Sequence, residues 1–187
     1  MPEIENSRID EYFKNLIGKK CTGFAAGAGT GSNVYLEFEP RRSRARPLRN
    51  PHLSDLQRRT DADFAVFVQC AWRLDSESKV ICGSEDDESA GGRMLQGLAL
   101  LEGMTLDSAE LTLPGLDVRL TFGCLVMSVF CNNVSEMEQL DNYVLYGPSR
   151  ILCVGPNSRL SEEIPGAVKP RSLRIIRKNS DTLTPDS

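Results

Sequence analysis

The sequence predicts an α+β fold, mostly antiparallel β, in which two degenerate β-meander halves share one core and one or two short helices pack on it. Three observations predict it. Apolar and polar residues alternate with period two through most of the chain from Cys21 to Gly155, as in strands with one buried face. Turn residues such as Pro114-Gly115 and Asp75-Ser76-Glu77-Ser78 interrupt the alternation, as hairpin connections do. The third is an ordered repeat. Leu16-x-Gly18 answers Leu95-x-Gly97, Val34-x-Leu36-x-Phe38 answers Val118-x-Leu120-x-Phe122, Val66-x-Val68-x-Cys70 answers Met127-x-Val129-x-Cys131, and Val80-Ile81-Cys82 answers Ile151-Leu152-Cys153. Neither half alone holds much core, so the two bury their apolar faces together.

The first half is expected over residues 1–83, with an N-terminal helix and an arginine-rich insert at 39–62. The second spans 84–155, and 156–187 form a partly disordered C-terminal extension. Asn6 or Ser7 is an N-cap for a helix whose stripe is Ile9, Tyr12, Phe13, Leu16 and Ile17, stopped by Gly18. Glycines 27, 29 and 31 suggest a phosphate loop, but the alternating strand Val34–Phe38 follows where that chemistry needs a helix, so a hairpin turn is expected. In the insert, Pro40, Pro47 and Pro51 punctuate Arg41, Arg42, Arg44 and Arg46, and the segment is expected to be mobile.

Phe64 to Leu74 is expected to form one central strand. Phe64, Val66, Val68, Cys70, Trp72 and Leu74 share a wholly apolar face. Trp72, the single tryptophan, is a core residue first and a binding hot spot second. A short strand at 79–83 leads into the acidic turn Glu85, Asp86 and Asp87, whose consecutive carboxylates suit a solvated turn better than a converging acid/base or magnesium site. A helix is expected from about Ala90 to Leu101, then strands at 109–113, 117–122, 125–131, 142–146 and 150–155. Ser172 to Ile176 is a candidate edge strand ahead of a loose tail.

Net charge is −4, unevenly spread. Arg41 to Arg59 holds seven arginines and one acid, Asp55, so the body is acidic and one loop is basic. That loop is either a basic arm for nucleic acid or an acidic protein surface, or a solvated insertion; no aromatic is interleaved for base stacking. No apolar run is long enough to span a bilayer and the first residues lack a signal peptide's features, so the cytoplasm is the expected location. The six cysteines form no C-x-x-C pair and sit mostly in strand-like runs, as small buried hydrophobes do in a reducing compartment. His52 is the only histidine, and no nucleophile elbow, zinc motif or Walker sequence occurs, so no enzyme, metal or cofactor is expected.

The segment Val68-Gln69-Cys70-Ala71-Trp72-Arg73-Leu74, with Val80-Ile81-Cys82-Gly83-Ser84-Glu85-Asp86 after it, resembles a class of small bacterial proteins that share a Gln-Cys-Pro-Trp-Arg strand and a Gly-Ser-x-Asp turn. Leu16-x-Gly18 and Leu116 to Phe122 resemble it too; Ala71 replaces the usual proline, and the long insert is extra. Some members are regarded as immunity proteins of polymorphic toxin systems, of the WapI immunity type. The resemblance implies a non-catalytic protein that neutralises a cognate toxin by direct contact. Trp72, Arg73 and Asp86 are the matching positions, with Arg73 expected beside the indole and paired to a turn carboxylate. The alternative is a nucleic-acid or assembly adaptor acting through Arg41, Arg42, Arg44 and Arg46.

Overall fold

The computed structural model describes residues 2–27, 29–51, 53–135 and 140–164; His52 and the expected strand at 172–176 lie outside them. In chain order the elements are α1 (Pro2–Leu16), β1 (Cys21–Ala26), β2 (Val34–Ser43), α2 (Asp55–Arg59), β3 (Thr60–Val68), β4 (Ala71–Ser76), β5 (Val80–Gly83), α3 (Arg93–Ala99), β6 (Ser108–Thr112), β7 (Asp117–Phe122), β8 (Leu125–Phe130), β9 (Tyr143–Tyr146), β10 (Ile151–Val154) and β11 (Leu160–Glu163). The fold is α+β and every strand pairing among these elements is antiparallel. One sheet runs β1-β2-β3-β9-β10-β11 and the other β5-β4-β8-β7-β6. Both contribute to a single apolar core, where Phe38 of β2 stacks on Phe122 of β7 at 6.2 Å.

The expected central strand is two strands. Between Val68 and Ala71 the chain leaves one sheet for the other, and the N–H groups of Gln69 and Cys70 both donate to the carbonyl of Asn142. Alternation does not reveal the break, because the inner faces of both sheets look into the same core. Val66, Val68, Cys70, Trp72 and Leu74 are therefore all buried.

A matching crossover joins β8 to β9. Each half thus builds a three-stranded meander in one sheet, β1-β2-β3 or β6-β7-β8, and then lends a hairpin, β4-β5 or β9-β10, to the sheet begun by the other. The same exchange appears in the hydrogen bonds. Gly18 N–H donates to Leu106 O and Gly103 N–H to Cys21 O; Cys21 N–H donates to Met104 O and Leu106 N–H to Lys19 O. Trp72 Nε1 donates to Ser32 O at 2.7 Å, as its counterpart Tyr143 donates its hydroxyl to Leu116 O at 3.1 Å.

These bonds correct one match of the repeat. The counterpart of Leu16-x-Gly18 is Leu101-x-Gly103, whose glycine shares the left-handed conformation of Gly18 (φ 81° and 85°). Gly97 is instead inside α3, where a Cβ would collide with Cys82 Sγ. Helix α3 is accordingly shorter than the expected 90–101 segment, with Met94 and Leu98 buried. Helix α1 begins before the expected cap and buries Ile9, Tyr12, Phe13 and Leu16, while Ile17, past its end, is exposed. The Tyr12 hydroxyl lies 2.9 Å from the carbonyl oxygens of Ala65 and Tyr146 and anchors the helix where β3 meets β9. The glycine-rich segment is part of the β1–β2 hairpin connection, as expected. Among the described residues no helix is long and apolar enough to cross a membrane.

Asn142, 1% exposed, ties the two crossovers together. Its backbone N–H donates to Val154 O, its side-chain oxygen accepts from Asn133 N–H, and its side-chain NH₂ reaches the carbonyls of Asn133 and Gly155. Removing that amide strands buried backbone groups. Asn142→Ala should lower the unfolding free energy by about 2–4 kcal/mol in urea titrations, against under about 1 kcal/mol for Asn132→Ala at the exposed neighbour. Equal effects would remove Asn142 from this role.

Candidate functional site

The arginine-rich insert is ordered and largely self-neutralised, which corrects the expectation of a mobile basic loop over 39–62. Strand β2 runs through Ser43 and β3 starts at Thr60, with Arg41 opposite Ala62 and Arg42 opposite Asp61. The pairing continues beyond the strands, as Arg44 N–H donates to Arg59 O and Leu48 N–H to Arg58 O. Ser54 and Gln57 form a reciprocal capping box on α2. The arginines find acids that lie mostly outside the basic run: Arg41 with Glu37, Arg42 with Asp63, Arg44 with Asp61, and Arg58 and Arg59 with Asp55. Arg46 and Arg49 are exposed and have no ion-pair partner among the described residues.

Arg41 is structural. Its Nη1 lies 3.1 Å from Glu37 Oε2 and 2.9 Å from Thr22 Oγ1, and its Nε donates to Thr60 Oγ1 at 2.7 Å. Gln57 Nε2 donates to the same Glu37 oxygen at 2.8 Å and to Phe24 O at 3.0 Å. Glu37 and Gln57 are both buried, so this network pins the insert to the sheet.

Around Trp72 the structure separates what the sequence juxtaposes. Trp72 is 2% exposed and faces the core, while its neighbour Arg73 points outward, since successive residues of a strand alternate. Arg73 donates from Nε to both oxygens of Asp75 at 2.9 Å and lies over the Phe130 ring, not the indole. It lines an open groove of about 360 Å³ with Asp75, Arg119, Cys124 and Ser128. Arg73 thus pairs with a turn carboxylate as expected, but the partner is Asp75 and not Asp86, and the ring beside it is Phe130. Asp86 accepts the Gly83 N–H at 2.8 Å and pairs with Arg93, which also donates to Val80 O and Ile81 O. Glu85 and Asp87 are exposed; the N–H and hydroxyl of Ser89 hold the Asp87 carboxyl below its ordinary range.

A second surface went unnoticed at the sequence level. On the outer face of the six-stranded sheet Tyr35 stands 6.0 Å from Phe67 and 5.7 Å from Tyr146, ring centre to ring centre, and all three are half-buried. Burial raises the Tyr35 phenol, with help from the Glu37 and Asp61 charges and opposition from Arg44; burial, then Cys153, Asp141 and Glu163, raises that of Tyr146. Of these carboxylates Glu37 and Asp61 already pair with Arg41 and Arg44, so the patch is aromatic before it is acidic. Aromatic faces of this kind suit a guanidinium or ammonium group, which stacks on rings. The available cue was an aromatic residue in the outward phase of an alternating strand: Tyr35 between Val34 and Leu36, Phe67 between Val66 and Val68.

Among the described residues no three His, Cys, Asp or Glu side chains gather as a metal site requires. Comparison with protein-family models, with curated proteins and with solved structures returned no match.

Two outcomes are expected. Arg41→Met should cost about 3–5 kcal/mol of stability by leaving Glu37 buried without its cation, whereas Arg42→Met, at an exposed pair, should cost under about 1 kcal/mol. A similar cost for both would refute the network. The second concerns alkali. Burial pushes the Cys21 thiol up to about 12 and that of Cys82 up to about 11, and raises Tyr12 and Tyr143 as well. The unfolded chain loses these protons first, so stability holds below about pH 9 and falls as pH rises toward 12. Urea midpoints should be flat from pH 7 to about 9 and then decline; a midpoint constant to pH 11 would contradict this.

Proposed function

We propose that this chain is a non-catalytic binding protein of the bacterial cytoplasm, an immunity-type protein that neutralises a cognate toxin by direct contact. The observation that carries the reading is the outward cluster of Tyr35, Phe67 and Tyr146. Aromatic anchors supply most of the binding energy at protein interfaces. The net charge of −4 and the exposed Glu85 and Asp87 favour a basic partner, as a nuclease toxin commonly is, because opposite charge speeds capture. The resemblance of the Gln69 to Leu74 segment to immunity proteins points the same way. Trp72 serves by holding the core, and Arg73 and Asp86 serve at the rim of the five-stranded sheet.

A second reading, a nucleic-acid adaptor working through the insert, rests on Arg46 and Arg49. Two free cations support only a shallow salt dependence, a slope near −2 in log K against log salt. Filter binding at low salt that disappears on replacing both arginines would favour it over the first.

The main test is co-expression with the candidate toxin encoded beside this gene. The wild-type chain should protect cells and co-purify. Tyr35→Ala with Tyr146→Ala should weaken the complex at least about thirty-fold, roughly 2 kcal/mol, with the fold intact by circular dichroism. Arg119→Ala, on the other sheet, should leave affinity unchanged. A toxin that neither binds nor loses toxicity defeats the proposal.

A further inference from the structure

We propose that Cys70 and Cys131 are a redox-sensitive pair, a dithiol that closes into a disulfide and clamps the two sheet crossovers to each other. The antiparallel register brings them together. Ala71 of β4 lies opposite Phe130 of β8 as the end rung of that ladder, and Cys70 and Cys131 are the next residues on the two chains, just past it. Directly opposed residues of an antiparallel pair have Cα atoms about 4.5–5.5 Å apart, inside the roughly 4.4–6.8 Å that a disulfide spans.

A hydrogen bond to Cys70 is the largest cause holding the Cys131 thiol above its ordinary range, ahead of burial, and Cys131 Sγ also donates to Leu116 O at 3.3 Å. They occupy the same position in the two halves, each just after the meander strand that precedes a crossover. Cys70 is buried and Cys131 partly exposed, so an oxidant meets Cys131 first.

A low-molecular-weight disulfide such as oxidised glutathione supplies the oxidation. Because the Cys131 thiol is held up, the exchange runs at alkaline pH, where hydroxide takes its proton; the thiolate then attacks one glutathione sulfur, the glutathione S–S bond breaks, and one glutathione leaves and takes up a proton. Cys70, deprotonated, then attacks the Cys131 sulfur; the mixed disulfide breaks and the second reduced glutathione leaves. The protein gives up two electrons and two protons, and the oxidised glutathione takes up both. The new bond joins the end of the first meander to the end of the second, closing a long loop and restricting the unfolded chain.

The test uses the full chain carrying Cys124→Ser, which removes the exposed thiol that would link molecules to one another. After incubation with excess oxidised glutathione, free thiols should fall by two and peptide mapping should show Cys70 joined to Cys131. The melting temperature should rise by several degrees and return on adding dithiothreitol. Adding Cys70→Ser should leave glutathione attached to Cys131 instead. Unchanged thiol counts, or a bridge between any other two cysteines, would overturn the proposal.

Discussion

The structure depends on the point where both halves change sheets, and Asn142 holds that point. Its carbonyl receives Gln69 and Cys70 from the first crossover, and its own backbone and side chain bind Asn133, Val154 and Gly155 around the second. A buried amide with its partners in place is worth more than its isolated bonds, because every partner it loses is stranded without water. Once the crossovers are fixed, β3 meets β9 and β4 meets β8. Each sheet then contains strands of both halves, and neither meander has a complete inner face without the hairpin lent by its counterpart. The stacking of Phe38 on Phe122, equivalent residues of the two halves, lies in that shared interior.

Charge is organised on the outside of this frame. The arginines of the insert spend most of their charge on Glu37, Asp55, Asp61 and Asp63, so the insert acts as a cover for one part of the six-stranded sheet. Of its contacts, only the buried Arg41–Glu37–Gln57 network has the desolvation to matter much for stability; the exposed pairs are worth little. Beside that cover the Tyr35, Phe67 and Tyr146 rings are left half-open on the outer face.

The alternation and the repeat made the fold class legible, down to the correspondence of Val34–Phe38 with Val118–Phe122 and of Cys70 with Cys131. Three features were not. The break at Gln69 and Cys70 is invisible because inward residues stay inward when a chain passes between two sheets that face one core. The neutralisation of the insert is hard to see in a window of sequence, since Asp61 and Asp63 reach Arg44 and Arg42 only when β2 pairs with β3, and Glu37 reaches Arg41 within β2 across the irregularity between Phe38 and Arg41. The pairing of Asp86 with Arg93 in place of Arg73 follows from strand direction: Arg73 points outward toward Asp75 and Phe130, while the helix start brings Arg93 back over Val80 and Ile81.

Native-state hydrogen exchange, followed residue by residue through rising sub-denaturing urea, examines the shared interior most directly. If the halves are interlocked as described, the slowest amides of β3, β4, β8 and β9 converge on one opening free energy equal to that of global unfolding. Should β1-β2-β3 or β6-β7-β8 open separately, at a free energy well below the global value, the two halves would be independent units and the account would be wrong.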